Sequence, residues 1–157
     1  MVIFHSVNLA NADSVLKLMP QYYAHDHLKF DLVKADLALK SFIQNSNYGR
    51  AWLIQEEISN QPIGYIVIAF GYSFECGGRE AFVDELFIIE KFRGQGIGTS
   101  AILYAIQECK KIGIKAMRLE VTKTNPNAMK LYKKIGFNDL GRSLLTYWIN
   151  PAANSVL

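Results

Sequence analysis

Apolar and polar positions alternate from Val2 to Val7, the period-two signature of a strand with one covered face. Asn11 or Asp13 is placed to cap a helix that carries Val15, Leu16, Leu18 and Met19 on one side, and Pro20 perturbs it. Leu37, Leu39, Phe42 and Ile43 recur at helical spacing and predict a second helix over Ala35–Gln44, ended by the polar residues 45–49. Two strands follow, Ala51–Glu56 and Ile63–Phe70, joined by the polar turn Ile58–Pro62 as a hairpin. Gly71–Glu80 reads as a loop leading into a strand from Ala81 to Ile89. That run is too apolar for a solvated edge, so both its faces should be covered. A glycine-rich bend then opens an amphipathic helix that runs to about Ile112. Ala116–Val121 predicts a short strand, and Asn125 or Asn127 caps a last helix stopped by Gly136. Further strands are expected from Phe137 and over Leu144–Ile149, with Pro151–Leu157 as a tail. The order βααβββαβαββ combines an antiparallel meander with a strand-helix-strand crossover. It implies an α/β sandwich around a mixed, mostly antiparallel sheet, expected as one domain over 1–157.

Composition narrows the function more than the fold. Half of the 157 residues are hydrophobic and 12% are aromatic, which excludes a disordered chain. The formal charge is +3 with no run of five like charges, so neither nucleic acid nor a membrane surface is implied as a partner. Cys76 and Cys109 lack CxxC spacing and histidine partners, and free thiols in a reducing compartment are expected. His25, Asp26 and His27 point in different directions on a helix, so their spacing makes no metal site, and no metal is expected. The N-terminal residues lack the basic flank and apolar core of a leader, and the expected location is the cytoplasm. The same segment, Gln21–Asp31, crowds Tyr22, Tyr23 and Phe30 beside these ionisable groups and is a candidate wall for a binding pocket.

The chemistry concentrates in AFVDELFIIEKFRGQGIGTS, residues 81–100. Asp84 and Glu85 interrupt a buried strand, where an unpaired carboxylate costs several kcal/mol of solvation. A cleft or a partner must therefore receive them. Gly94, Gly96 and Gly98 let the chain bend sharply before a helix whose first amides lack internal partners, which makes an anion cradle with Arg93 beside it. A phosphate loop of the GxxxxGK type would need a lysine at the helix entry, and none stands there. A dinucleotide turn would need GxGxxG directly after the strand, whereas four residues intervene and the spacing is GxGxG. It survives as an alternative with Glu120 as the ribose acid, as does a glycine connection that binds nothing.

Arg93-Gly94-Gln95-Gly96-Ile97-Gly98 after an apolar strand resembles the pyrophosphate loop of the GNAT superfamily of N-acetyltransferases. A second block, Asn125 to Phe137, resembles that family's asparagine, tyrosine and Gly-Phe signature. The resemblance implies acetyl-CoA as donor and a primary amine, of a small molecule or a protein, as acceptor, with direct transfer in a ternary complex. It implies that Leu86, Phe87 and Ile88 offer backbone groups to the acetyl and pantetheine portions, and that Arg93, Gly94, Gln95, Gly96, Ile97, Gly98 and Thr99 cradle the pyrophosphate. Asn125 would bond the pantetheine arm, and Lys133 and Lys134 lie within possible reach of the adenosine phosphate. Tyr132 would protonate the departing thiolate, and Asp84 or Glu85, directly or through water, would accept the amine proton. Homodimers occur in such a family, and the apolar stretch near the C-terminus could support one. A non-catalytic acyl-CoA-binding module would keep the glycine loop and be indifferent to Tyr132 and the acidic pair.

Overall fold

A computed structural model describes residues 1–122 and 125–150. Strands β1 (Val2–Ser6), β2 (Gly49–Glu56), β3 (Pro62–Ser73), β4 (Gly78–Ile88) and β5 (Ala116–Arg118) lie in that order in one sheet. The first three pairings are antiparallel and β4 to β5 is parallel. Helices α1 (Ala12–His25) and α2 (Leu32–Gln44) connect β1 to β2, α3 (Ile97–Lys111) makes the crossover from β4 to β5, and α4 (Pro126–Ile135) follows. A single 3₁₀ turn, Glu90–Phe92, precedes the glycines.

The alternation along the strands assigns each side chain to one of two cores. Ala51 and Leu53 of β2 pack with Val15, Leu16, Leu18 and Met19 of α1 and Leu39 of α2, whereas Trp52 and Ile54 pack with Ala101, Ile102 and Ala105 of α3. The sheet is thus covered on both faces, as the continuous apolar run in β4 requires.

Several elements differ from their sequence-based bounds. Helix α1 continues through Pro20, which is exposed and lacks the N–H that would bond the Leu16 carbonyl. Helix α2 starts at Leu32 because Asp31 caps it, its Oδ1 accepting from the Lys34 amide at 3.0 Å. The strands of the β3–β4 hairpin extend through much of the expected loop, pairing as far as Ser73 with Gly78. Strand β5 is only three residues long. The strands expected from Phe137 and over Leu144–Ile149 do not form: residues 137–150 are irregular, and Leu144, Leu145, Tyr147 and Ile149 are exposed. Apolar, β-prone residues make a strand only where an edge pairs with them. Here Arg142 instead ties the segment to Glu75 of the hairpin turn through Nη1 at 2.9 Å. The expected tail at 151–157 lies outside the described residues.

Candidate active site

Two irregularities in the sheet create the site. Strands β4 and β5 pair only from Glu80 with Ala116 to Phe82 with Arg118. Beyond that point Val83, Asp84 and Leu86–Ile88 on one side and Leu119–Thr122 on the other line a cavity of about 720 Å³. Among the described residues the β5-facing edge of β4 therefore has no strand partner there, while its other edge stays paired to β3 as far as Ile88 with Gly64.

The second irregularity lies between β3 and β4. Val83 is opposite Ile68 and Glu85 is opposite Val67, so Asp84 is an extra residue in the ladder. Such a bulge reverses the phase of the strand. Ala81 and Val83 face the α3 core, but past the bulge Phe87 joins the α1 and α2 core. Glu85 shares that phase, and the hydroxyl of Tyr65 donates to its Oε2 at 2.7 Å. The hydroxyl of Tyr23 bonds the same carboxylate. Desolvation pushes Glu85 up to about 7, with the Asp84 and Asp26 charges adding and the two tyrosine hydrogen bonds opposing. Asp84 meets the solvent of the cleft, and the surrounding walls still hold its carboxyl above the usual range by desolvation.

The bulge places the two acids differently. Asp84 lines both the large cavity and a second one of about 390 Å³, whereas Glu85 lines only the second. The second cavity lies among α1, α2 and the segment between them, with Met19, Tyr23, Phe30, Leu39 and Phe42 on its walls. Burial and the Glu85 charge hold Tyr23 at about 12, so it remains a neutral donor.

The glycine bend closes one end of the large cavity. Gly94 and Gly96 have φ of +75° and +80°, a conformation costly for any residue with a Cβ. Gly96 is the N-cap of α3 and no side chain caps the helix. Its first internal bond runs from the Ser100 amide to Gly96 at 3.0 Å, so the amides of Ile97, Gly98 and Thr99 precede the ladder. Arg93 is committed elsewhere than its place in the motif suggests. Its amide donates to Glu90 at 3.0 Å, its Nε donates to the Ile88 carbonyl at 2.8 Å, and its guanidinium lies 5.6 Å from the Phe87 ring centre. Arg93 thus fastens the bend to the end of β4. Gln95 does not line the cavity; its Nε2 donates to the Lys91 carbonyl at 3.3 Å.

The opposite wall belongs to α4. Asn125 caps this helix, its Oδ1 accepting from the Ala128 amide at 3.0 Å, which leaves its amide nitrogen as a donor. Tyr132 lines the cavity two turns along, packed edge-on against Phe137 at 5.8 Å between ring centres. Burial raises its hydroxyl pKa, so it is protonated at neutral pH. Asp84, Leu86, Phe87, Ile88, Arg93, Gly94, Gly96, Ile97, Gly98, Thr99, Asn125 and Tyr132 therefore all border one cavity.

Tyr65 is the site residue that the sequence pattern conceals. It is fully buried in an aliphatic strand and reads as core. A buried tyrosine nevertheless needs a partner for its hydroxyl, and that need was the available signal. Among the described residues, no three His, Cys, Asp or Glu side chains gather as a metal site, and no helix is long and apolar enough to cross a membrane.

Residues 15–137 match the Acetyltransferase (GNAT) family. An uncharacterized N-acetyltransferase of Methanocaldococcus jannaschii is 34% identical over 84 residues, which are 53% of this chain and 37% of that protein. The thialysine N-epsilon-acetyltransferase of Bos taurus is 26% identical over 145 residues, 88% of this chain and 85% of its own length. The match to the Mus musculus protein of that name spans only 47% of its length, so two of these curated relatives extend well beyond the matched region. Among solved structures, an integron cassette protein from the mobile metagenome of Cole Harbour Salt Marsh superposes with a TM-score of 0.83 at 29% identity, over 94% of this chain and 91% of the other. A protein from Clostridium acetobutylicum described as a predicted acetyltransferase, solved with acetyl-CoA, has a TM-score of 0.77 at 19% identity over 94% and 96% of the two chains, a likeness of fold.

Proposed function

Since the chain belongs to the acetyltransferase (GNAT) family, we propose that it moves an acetyl group from acetyl-CoA to a primary amine by direct transfer within a ternary complex. The observation that carries this reading is the junction at Asp84. One cavity there offers an open strand edge and helix amides, and the other ends on a pair of carboxylates.

The donor fits the large cavity on chemical grounds. Three amides at the start of α3 and the helix dipole suit a diphosphate. The open edge of β4 suits an extended amide-bearing arm, which would bond it as an added strand. Acetyl-CoA supplies the activated thioester. The chain supplies the rest. Asp84, facing both cavities, holds the acceptor ammonium where they meet. An alkyl ammonium has a pKa of roughly 10 and must lose its proton to attack. Glu85, lifted to about 7 and fixed by Tyr65 and Tyr23, receives that proton at near-neutral pH. Tyr132, held protonated by burial, gives its proton to the departing thiolate. The relatives support an amine acceptor, since their names specify thialysine or an N-alpha amino group.

The test is release of free thiol from acetyl-CoA with a panel of amines, alongside calorimetry with acetyl-CoA and with NAD. Amine-dependent thiol release is expected. Tight acetyl-CoA binding without turnover on any amine would favour a binding module, and preference for NAD would favour the dinucleotide reading. The exposed apolar residues 144–149 supply a face for a homodimer, which light scattering would detect as twice the chain mass.

A further inference from the structure

The second cavity is lined by charges of both signs that come from different elements. Asp84 and Glu85 come from β4, and the apolar lining includes Met19 and Leu39, almost wholly buried, and Tyr23, edge-on to Phe30 at 5.3 Å. Two cations come from the α1–α2 side, Lys29 in the segment after α1 and Lys34 in the first turn of α2. Asp31 also lines the cavity, but its Oδ1 is already engaged by the Lys34 amide at 3.0 Å. Both lysines also interact with neighbours in the protein, so a ligand would join an existing network.

Charges of opposite sign on separate elements of one partly apolar cavity favour a small molecule that carries both signs. We propose that the acceptor is a small amino carboxylate, an aliphatic chain with its reacting amine at Asp84 and Glu85 and a carboxylate at Lys29 and Lys34. This assignment rests on the acetyl-transfer reading and narrows its acceptor. Two further observations agree with it. A volume of about 390 Å³ is near the low end of the roughly 300–1,000 Å³ range of small-molecule sites. A polyamine would set a second cation near Lys29 and Lys34. A like-charge contact of that kind costs affinity rather than adding it.

Matched acceptors test the assignment. ε-Aminocaproate and hexylamine have the same chain length and differ in the carboxylate, and lysine adds a second amine. Thiol release should give a kcat/KM up to about fivefold higher for ε-aminocaproate than for hexylamine, the ratio expected of one partly solvated charge pair. The double variant Lys29→Gln/Lys34→Gln should abolish most of that ratio by raising KM for ε-aminocaproate. The Asp31 bond to residue 34 uses a backbone amide, so the cap does not depend on the lysine side chain. Calorimetry with acetyl-CoA, whose proposed cavity these lysines do not line, reports that the variant is folded. Equal kcat/KM for the two acceptors, or a ratio unchanged in the double variant, overturns the amino carboxylate assignment and leaves acetyl transfer standing. Absence of thiol release with every acceptor, despite acetyl-CoA binding, overturns both.

Discussion

Replacing Tyr65 by Phe removes one hydroxyl and keeps the ring that fills the α1 and α2 core. In the native protein that hydroxyl donates to Glu85 at 2.7 Å, from a fully buried ring to a half-buried carboxylate. A hydrogen bond to a charged group contributes about 1.5–3 kcal/mol, and 1.36 kcal/mol corresponds to one pH unit in an ionisation midpoint. Because the bond favours the ionised carboxylate, its loss raises the Glu85 midpoint by about one to two pH units. The acid limb of kcat/KM, expected near pH 7 from the value of about 7 for Glu85, should move upward by that amount in Tyr65→Phe. Activity at neutral pH should fall roughly tenfold and recover at alkaline pH. The sign for stability follows from the same shift. Glu85 rises from 4.5 to about 7 on folding, so the native state binds the proton more tightly. Its contribution, at most about 3 kcal/mol, is complete below the unfolded value and is lost as pH rises through the folded one. Tyr65→Phe should therefore destabilise the protein by about 1.5–3 kcal/mol more in alkaline buffer than near pH 4.5. Stopped or continuous thiol assays across pH, with urea denaturation at both extremes, measure the two effects. An acid limb that stays in place in Tyr65→Phe, or that persists in Glu85→Gln, would refute the role given to Glu85.

Tyr132→Phe should lower kcat about a hundredfold, the loss of one general acid, with the KM for acetyl-CoA little changed; an unaltered kcat removes Tyr132 from the chemistry. Gly96→Ala places a Cβ at φ +80° and should cost about 1–2 kcal/mol of stability, read as a lower urea midpoint together with weaker acetyl-CoA binding. Asn125→Ala removes a cap and should cost about 1 kcal/mol, or about 2–4 °C in Tm for a chain of this size. Asn125→Asp keeps the cap oxygen and loses the amide donor, so it should retain the Tm and still weaken acetyl-CoA binding.

The local signals were written where backbone chemistry is local. Gly94 and Gly96 demand a left-handed bend, Asn125 and Gly136 bracket α4, and the two-core alternation of Trp52 and Leu53 needs only a period of two. The tertiary structure decided what depends on a partner strand. Glu85 stands two residues after Val83, and by alternation alone it would face α3; one extra residue opposite Ile68 and Val67 turns it toward Tyr65 instead. Whether a bulge forms there depends on the register of two strands, which no stretch of either strand encodes alone. The same dependence explains Leu144–Ile149, whose apolar pattern suits a strand but which pairs with no strand edge among the described residues. A helix closes its hydrogen bonds within its own residues and so can be read from them, whereas a strand, and the direction of an acid upon it, is completed only by its neighbour.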